Sequence, residues 1–170
     1  MKIRIAGLLA VAALGAASGG GTSAGVSDLT ARRGTFQAQW NVSGTVHVME
    51  FVEGAMVAAG HLEGNILVEV DKGPFNDFRT ECVVFSEEQK HGVGRCVWEG
   101  PLGDLAYVEL KSSGMSAFGA VQGRFVGGTG KLEGLKGSFS FEWNYSLSGD
   151  KDATLNGYSI QMMGNYDLPD

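Results

Sequence analysis

Between Ser138 and Leu147 the chain alternates without a break between large apolar and polar side chains. Phe139, Phe141, Trp143, Tyr145 and Leu147 stand against Ser138, Ser140, Glu142, Asn144 and Ser146. A period of two puts each set on its own face of an extended chain, so this is a strand with one buried and one wet face. A helix, with a period of about 3.6, would mix the two sets around its circumference. The same alternation recurs at Tyr158, Ile160, Met162, Tyr166 and Leu168, at Phe36, Ala38, Trp40 and Val42, and at Leu62, Ile66, Val68 and Val70. Half-buried strands of this kind belong to antiparallel sheets.

Shorter strand candidates lie at Arg79–Phe85, Gly94–Glu99, Asp104–Leu110 and Met115–Val126. Turn residues separate the candidates: Glu53-Gly54, Asp71-Lys72-Gly73-Pro74, Gly100-Pro101-Leu102-Gly103, Ser112-Ser113-Gly114 and Ser148-Gly149-Asp150-Lys151. The total is about eight strands with no amphipathic helix, which predicts an all-β fold, an eight-stranded antiparallel β-barrel. Closure leaves no exposed edge, and 27 glycines, several inside strands, suit the bulges and corners of a curved sheet. A two-sheet sandwich is the alternative.

The first residues read differently. Lys2 and Arg4 precede an apolar run from Ile5 to Leu14, followed by the small residues Gly15, Ala16 and Ala17. That is the pattern of a signal peptide over 1–18, too short to span a bilayer comfortably. A Gly, Ser, Thr and Ala-rich leader over 19–33 follows, and the barrel domain is expected over 34–170. The protein is accordingly expected to be periplasmic or secreted. Without Lys2 and Arg4, 11 basic residues face 19 acidic ones. That balance disfavours nucleic acid and anionic membranes as partners of the mature form, because both need clustered Lys and Arg.

The two cysteines, Cys82 and Cys96, form an even pair in an exported chain, which predicts a disulfide. A hairpin with its loop at Ser86–Gly92 sets them opposite each other. A metal site would need further ligands at short spacing, and none accompanies them; no cofactor is expected.

The run from Phe125 to Gly137, Phe-Val-Gly-Gly-Thr-Gly-Lys-Leu-Glu-Gly-Leu-Lys-Gly, reads as a strand, a tight glycine turn and re-entry into the next strand. Gly127, Gly128 and Gly130 are expected to supply positive φ, and Gly134 and Gly137 to let the chain rejoin the sheet. The run resembles the glycine-rich segment of the allene oxide cyclase and dirigent proteins, GG(T/A)G-x-(F/L)-x-G-x-x-G before a strand. Gly127, Gly128, Thr129, Gly130, Leu132, Gly134 and Gly137 carry the match. The resemblance implies an eight-stranded barrel with a hydrophobic lumen and, from the plant members, a homo-oligomer. It assigns structural glycines and no catalytic residue. Cys82 and Cys96, with Gly92-Val93-Gly94-Arg95 between them, look like the secreted bacterial members.

Candidate sites follow from the faces. Phe141, Trp143, Tyr145 and Tyr158 are expected to line a pocket for a small hydrophobic ligand, with Trp40 and Trp98 as further lining candidates. With Glu53-Gly54 as the turn, His47 would stand opposite His61 and Thr45 opposite Glu63, a potential metal or proton-transfer set; the simpler reading is an ordinary wet face. Tyr107, Glu109, Arg124 and Glu142 could include a lumenal acid or base, but charged strand residues usually face water. His91 falls in a loop. Asn41-Val42-Ser43 and Asn144-Tyr145-Ser146 match the short glycosylation pattern. A binding or scaffold role is therefore expected ahead of an isomerase or cyclase acting on a lipid-like or phenolic substrate. An interaction module using the outer barrel face is the third reading.

Overall fold

The computed structural model describes residues 32–69, 74–87, 91–113 and 118–169. The expected signal peptide, and the leader up to residue 31, lie outside the described residues. The elements are β1 (Arg33–Val52), β2 (Ala55–Val68), β3 (Phe78–Glu87), β4 (Gly92–Glu99), β5 (Leu105–Ser112), β6 (Phe118–Gly128), a 3-10 turn (Gly130–Leu132), β7 (Lys136–Ser148) and β8 (Asp152–Asp167). Each strand pairs antiparallel with the next, and β8 pairs back onto β1 to close the barrel.

The cross-strand partners make one circuit. From Gly44 the path runs through Leu62, Cys82, Cys96, Val108, Phe125, Gly137 and Tyr166, and returns to β1 at Gly34. That displacement of ten residues along β1 requires strands tilted steeply to the barrel axis, by roughly 40° in barrels of this type. Cys82 and Cys96 lie on the circuit as direct partners, joined by a buried disulfide with a Cα–Cα distance of 4.1 Å.

Large apolar side chains point inward and most outward positions are polar, the reverse of a transmembrane barrel. One end of the lumen is packed shut. Phe75, in the β2–β3 connection, is 0 % exposed and stacks on Phe125 with ring centroids 4.8 Å apart. Phe36, Phe78, Trp98 and Tyr166 surround it at 5.1–5.9 Å. Leu132, Leu135 and Leu168 are buried in the same core.

The glycine run builds part of this closed end. Thr129 N–H donates to the Leu105 carbonyl (2.8 Å), Leu105 N–H donates to Thr129 Oγ1 (3.1 Å), and Lys131 N–H donates to Asp104 Oδ1 (2.9 Å). Gly127, Gly130, Gly134 and Gly137 have positive φ. Gly128 does not, contrary to expectation; it is required by close approach, because a Cβ there would run into the carbonyl oxygens of Leu105 and Leu132.

Two further expectations on register are corrected. A shift between Glu50 and Val52 sets Thr45 opposite His61 and Ala59 opposite His47. The two histidines go to separate partners, His47 to Asp152 (2.8 Å) and His61 to Glu81 (2.9 Å), all exposed. In β8 a bulge near Gln161, which has φ 53°, offsets the pairing by one residue. The alternation changes phase there, so Ser159 is buried and Tyr158 lies outside, 47 % exposed.

Candidate functional site

Among the described residues the other end of the lumen is open. The alternation of β7 continues past the core, from buried Phe141 to half-buried Trp143 and Tyr145 and exposed Leu147. Neighbouring rings along this line are 6.0 and 6.3 Å apart. They form one wall of a cavity of about 130 Å³, completed by aliphatic side chains that include Val46, Val84, Leu110, Val121 and Leu155.

Trp40 also lines the cavity, and both of its N–H groups are satisfied within the barrel. The bulge interrupts the β1–β8 ladder between Ala38 and Asn41, and here Trp40 N–H donates to Ser159 Oγ (2.8 Å). Its indole Nε1–H donates to Thr80 Oγ1 (2.8 Å). Ser159 and Thr80 are the buried polar side chains of the described lumen, and both are used on Trp40. The indole is thereby fixed before any ligand arrives, and it lies 5.3 Å from the Trp143 ring.

Polar groups are few on this lining. Ser86 Oγ is buried without a hydrogen-bond partner among the described residues. Ser112 lies beside it across Gly92, where an added Cβ would crowd both hydroxyls. Tyr145 adds a phenol whose pKa burial raises above the ordinary 10.0, so it stays protonated at neutral pH. The exposed Lys111 is the charged residue on the lining, and among the described residues no carboxylate or imidazole lines the cavity.

Of the pocket residues expected from the sequence, Phe141, Trp143 and Tyr145 line the cavity and Tyr158 does not. Trp40 lines it, whereas Trp98 belongs to the closed end. Trp98 Nε1 is buried among the rings of Phe75, Phe125 and Phe139, with no hydrogen-bond partner among the described residues. Tyr107, Arg124 and Glu142 are exposed. Glu109 sits between Arg124 (2.6 Å) and Arg95 (3.1 Å), and the hydrogen bond from Arg124 is the main cause of its lowered pKa. His91 is exposed. Of the aliphatic lining, Leu62 on β2 was recognisable as inward-facing; Leu155 was not, because it lies beyond the bulge where the alternation of β8 is reversed.

No protein-family model matches the sequence, and no curated protein matches it. Among solved structures, a pterocarpan synthase dirigent protein is similar over 81 % of this chain and 88 % of that chain, at 12 % identity and a TM-score of 0.42.

Proposed function

We propose that the protein binds one small, largely apolar molecule in the open half of its lumen and does no chemistry on it. The observation that carries this reading is the cavity of about 130 Å³ beside a fixed Trp40 and the half-buried Trp143 and Tyr145. An apolar cavity of roughly 150 Å³ accommodates benzene. A single aromatic ring therefore suits the site better than a long acyl chain. A ligand with one polar substituent could use Ser86 Oγ or the Tyr145 hydroxyl. The resemblance of the 125–137 run to allene oxide cyclase and dirigent proteins supports the same kind of apolar lumen. The apolar N-terminal run and the disulfide support export to the periplasm or beyond. The isomerase or cyclase alternative needs a proton-transfer group at the ligand, and Tyr145 is the phenol available for it.

Tryptophan fluorescence titrated with phenol, indole and octanoate tests the reading. Saturable change is expected with the ring compounds, with most of the signal lost in Trp143→Phe and binding abolished in Ala58→Phe, which fills the cavity. An unsaturable response, or binding indifferent to Ala58→Phe, would sink it.

A specific observation favours a second role for the outer face. Val83, Phe85, Val93, Val97 and Tyr107 lie outward on three adjacent strands, with Val83 64 % exposed. Apolar outer patches of this kind often mark protein contacts. We read the patch as a homo-oligomer contact: light scattering should give more than one chain per particle, reduced to one by Val83→Lys.

A further inference from the structure

The outer surface of β7, β8 and β1 has a composition of its own. An ion pair closes it at each end, His47–Asp152 toward the mouth and Arg33–Asp167 toward the closed end. Between them the outward positions are mostly hydroxyls and amides, the exceptions being Glu142, Ile160 and the 55 % exposed Met163. Two cross-strand rows continue from this face. Tyr158 is followed by Asn41, Asn65 and Arg79, and Asn156 by Ser43, Glu63 and Glu81. These rows line a groove of about 930 Å³ across the strands, whose far edge at Val97 adjoins the outer apolar patch.

The lining narrows what could lie in this groove. Asn41, Ser43, Asn65 and Asn156 are exposed, and their side chains make no hydrogen bond to another described residue. Each Asn offers two donors and an acceptor, each carboxylate up to four acceptor sites. Tyr158 is held at its hydroxyl by Asn144 Nδ2 (3.1 Å), while its ring stays 47 % exposed. Glu63, Glu81 and Glu99 outnumber Arg79, so the groove repels anions. Amides and hydroxyls are poor partners for an apolar ligand. Protein interfaces, in turn, favour Met, Arg and several aromatics and are depleted in Ser. The unpaired amides and hydroxyls and the exposed ring favour an uncharged ligand rich in donors and acceptors, with C–H faces that can rest on an aromatic ring.

We infer that this groove binds a neutral carbohydrate chain, with Tyr158 as its stacking platform, Asn41, Asn65 and Asn156 as its hydrogen-bonding set, and Glu63 accepting from sugar hydroxyls. The site lies on the outside of the barrel and is independent of the lumenal ligand. Asn41 and Asn144 both fall in glycosylation-like triplets, so the protein for the test is made in a bacterium that adds no N-glycans.

Calorimetry with neutral hexasaccharides of β-1,4-linked glucose, mannose, xylose and N-acetylglucosamine and of α-1,4-linked glucose is compared with a hexamer of galacturonic acid. Saturable binding of at least one neutral hexamer is expected, weakened about tenfold or more by Tyr158→Ala and by Asn41→Asp. Ala58→Phe should leave it unchanged, which separates this site from the lumen. All three variants are checked by thermal melting; if Tyr158→Ala does not fold, Asn41→Asp decides. Binding by no neutral hexamer, preference for the acidic hexamer, or binding that survives the substitutions would each overturn the assignment, the last two pointing to an anion site or to a contact elsewhere.

Discussion

The closed and open ends of the barrel are made by the same strands, yet they treat the lumen in opposite ways. At the closed end the β2–β3 connection sends Phe75 inward, and six further aromatic rings and three leucines fill the remaining space. At the open end the hairpin turns send no described side chain across the mouth, and the wall aromatics Trp143 and Tyr145 stay half exposed. Small inward residues serve both ends. The Phe139 ring covers Gly123, the Tyr166 ring covers Gly34 and the Trp143 ring covers Gly157. Glycine positions in the wall are thus seats for rings, and the cavity lies where no described loop residue supplies one. Stability should concentrate at one end and ligand response at the other.

The most severe test of that division is Phe75→Ala. Removing a fully buried ring should cost about 3 to 5 kcal/mol of unfolding free energy, read from urea denaturation; a loss below about 1 kcal/mol would mean that the plug is not what holds the closed end. Next in size is the disulfide at mid-height. The loop from Cys82 to Cys96 spans 14 residues of separation, and reduction should cost on the order of 3 kcal/mol in the chain-entropy model. Mass spectrometry should find no free thiol before reductant is added. Gly128→Val, at the closed end, should destabilise by more than about 1 kcal/mol because its Cβ meets two carbonyl oxygens. A variant that melts like the parent but loses ligand binding would instead tie the glycine run to function.

The smallest effect is alkaline. Burial raises the pKa of Tyr145 at the open end and Tyr166 at the closed end. The unfolded chain releases these phenolic protons first, so their stabilising effect is complete below the ordinary value of about 10 and is lost as pH rises through the folded values. Urea midpoints should fall over that range, and less so in Tyr145→Phe. A saturating aromatic probe should move the ionisation of Tyr145 further upward and leave that of Tyr166 where it is.

Much of this architecture was legible in the sequence. Period-two alternation assigned the inward face of β7 and β1, and the turn residues divided the strands correctly. The disulfide register followed from the hairpin between Cys82 and Cys96. Three things escaped, each for a physical reason. Gln161 carries a positive φ that no glycine announces, and because Tyr158 and Ile160 are both apolar, the alternation reads smoothly across the bulge that reverses it. Phe75 follows Lys72-Gly73-Pro74, a run that reads as a surface turn, so its role as a plug had no periodic signal. Finally, alternation assigns a residue to a face and not to a height, and the cavity is a matter of height. Small inward residues do not by themselves mark open volume: Ala38 and Ala106 are fully buried and Gly123 lies under a ring.

The two sides of the seam between β1 and β8 also meet at the closed end. Arg32 accepts a hydrogen bond at its carbonyl from Leu168 N–H (2.7 Å) and donates through its guanidinium to the Pro169 carbonyl. The described chain therefore enters the barrel at Arg32 and leaves it at Pro169, both on the plugged pole. A barrel held by a link at either of these residues would present its mouth away from the support. The same proximity makes the molecule a candidate for circular permutation, with a short link joining 169 to 32 and new ends opened in a mouth hairpin.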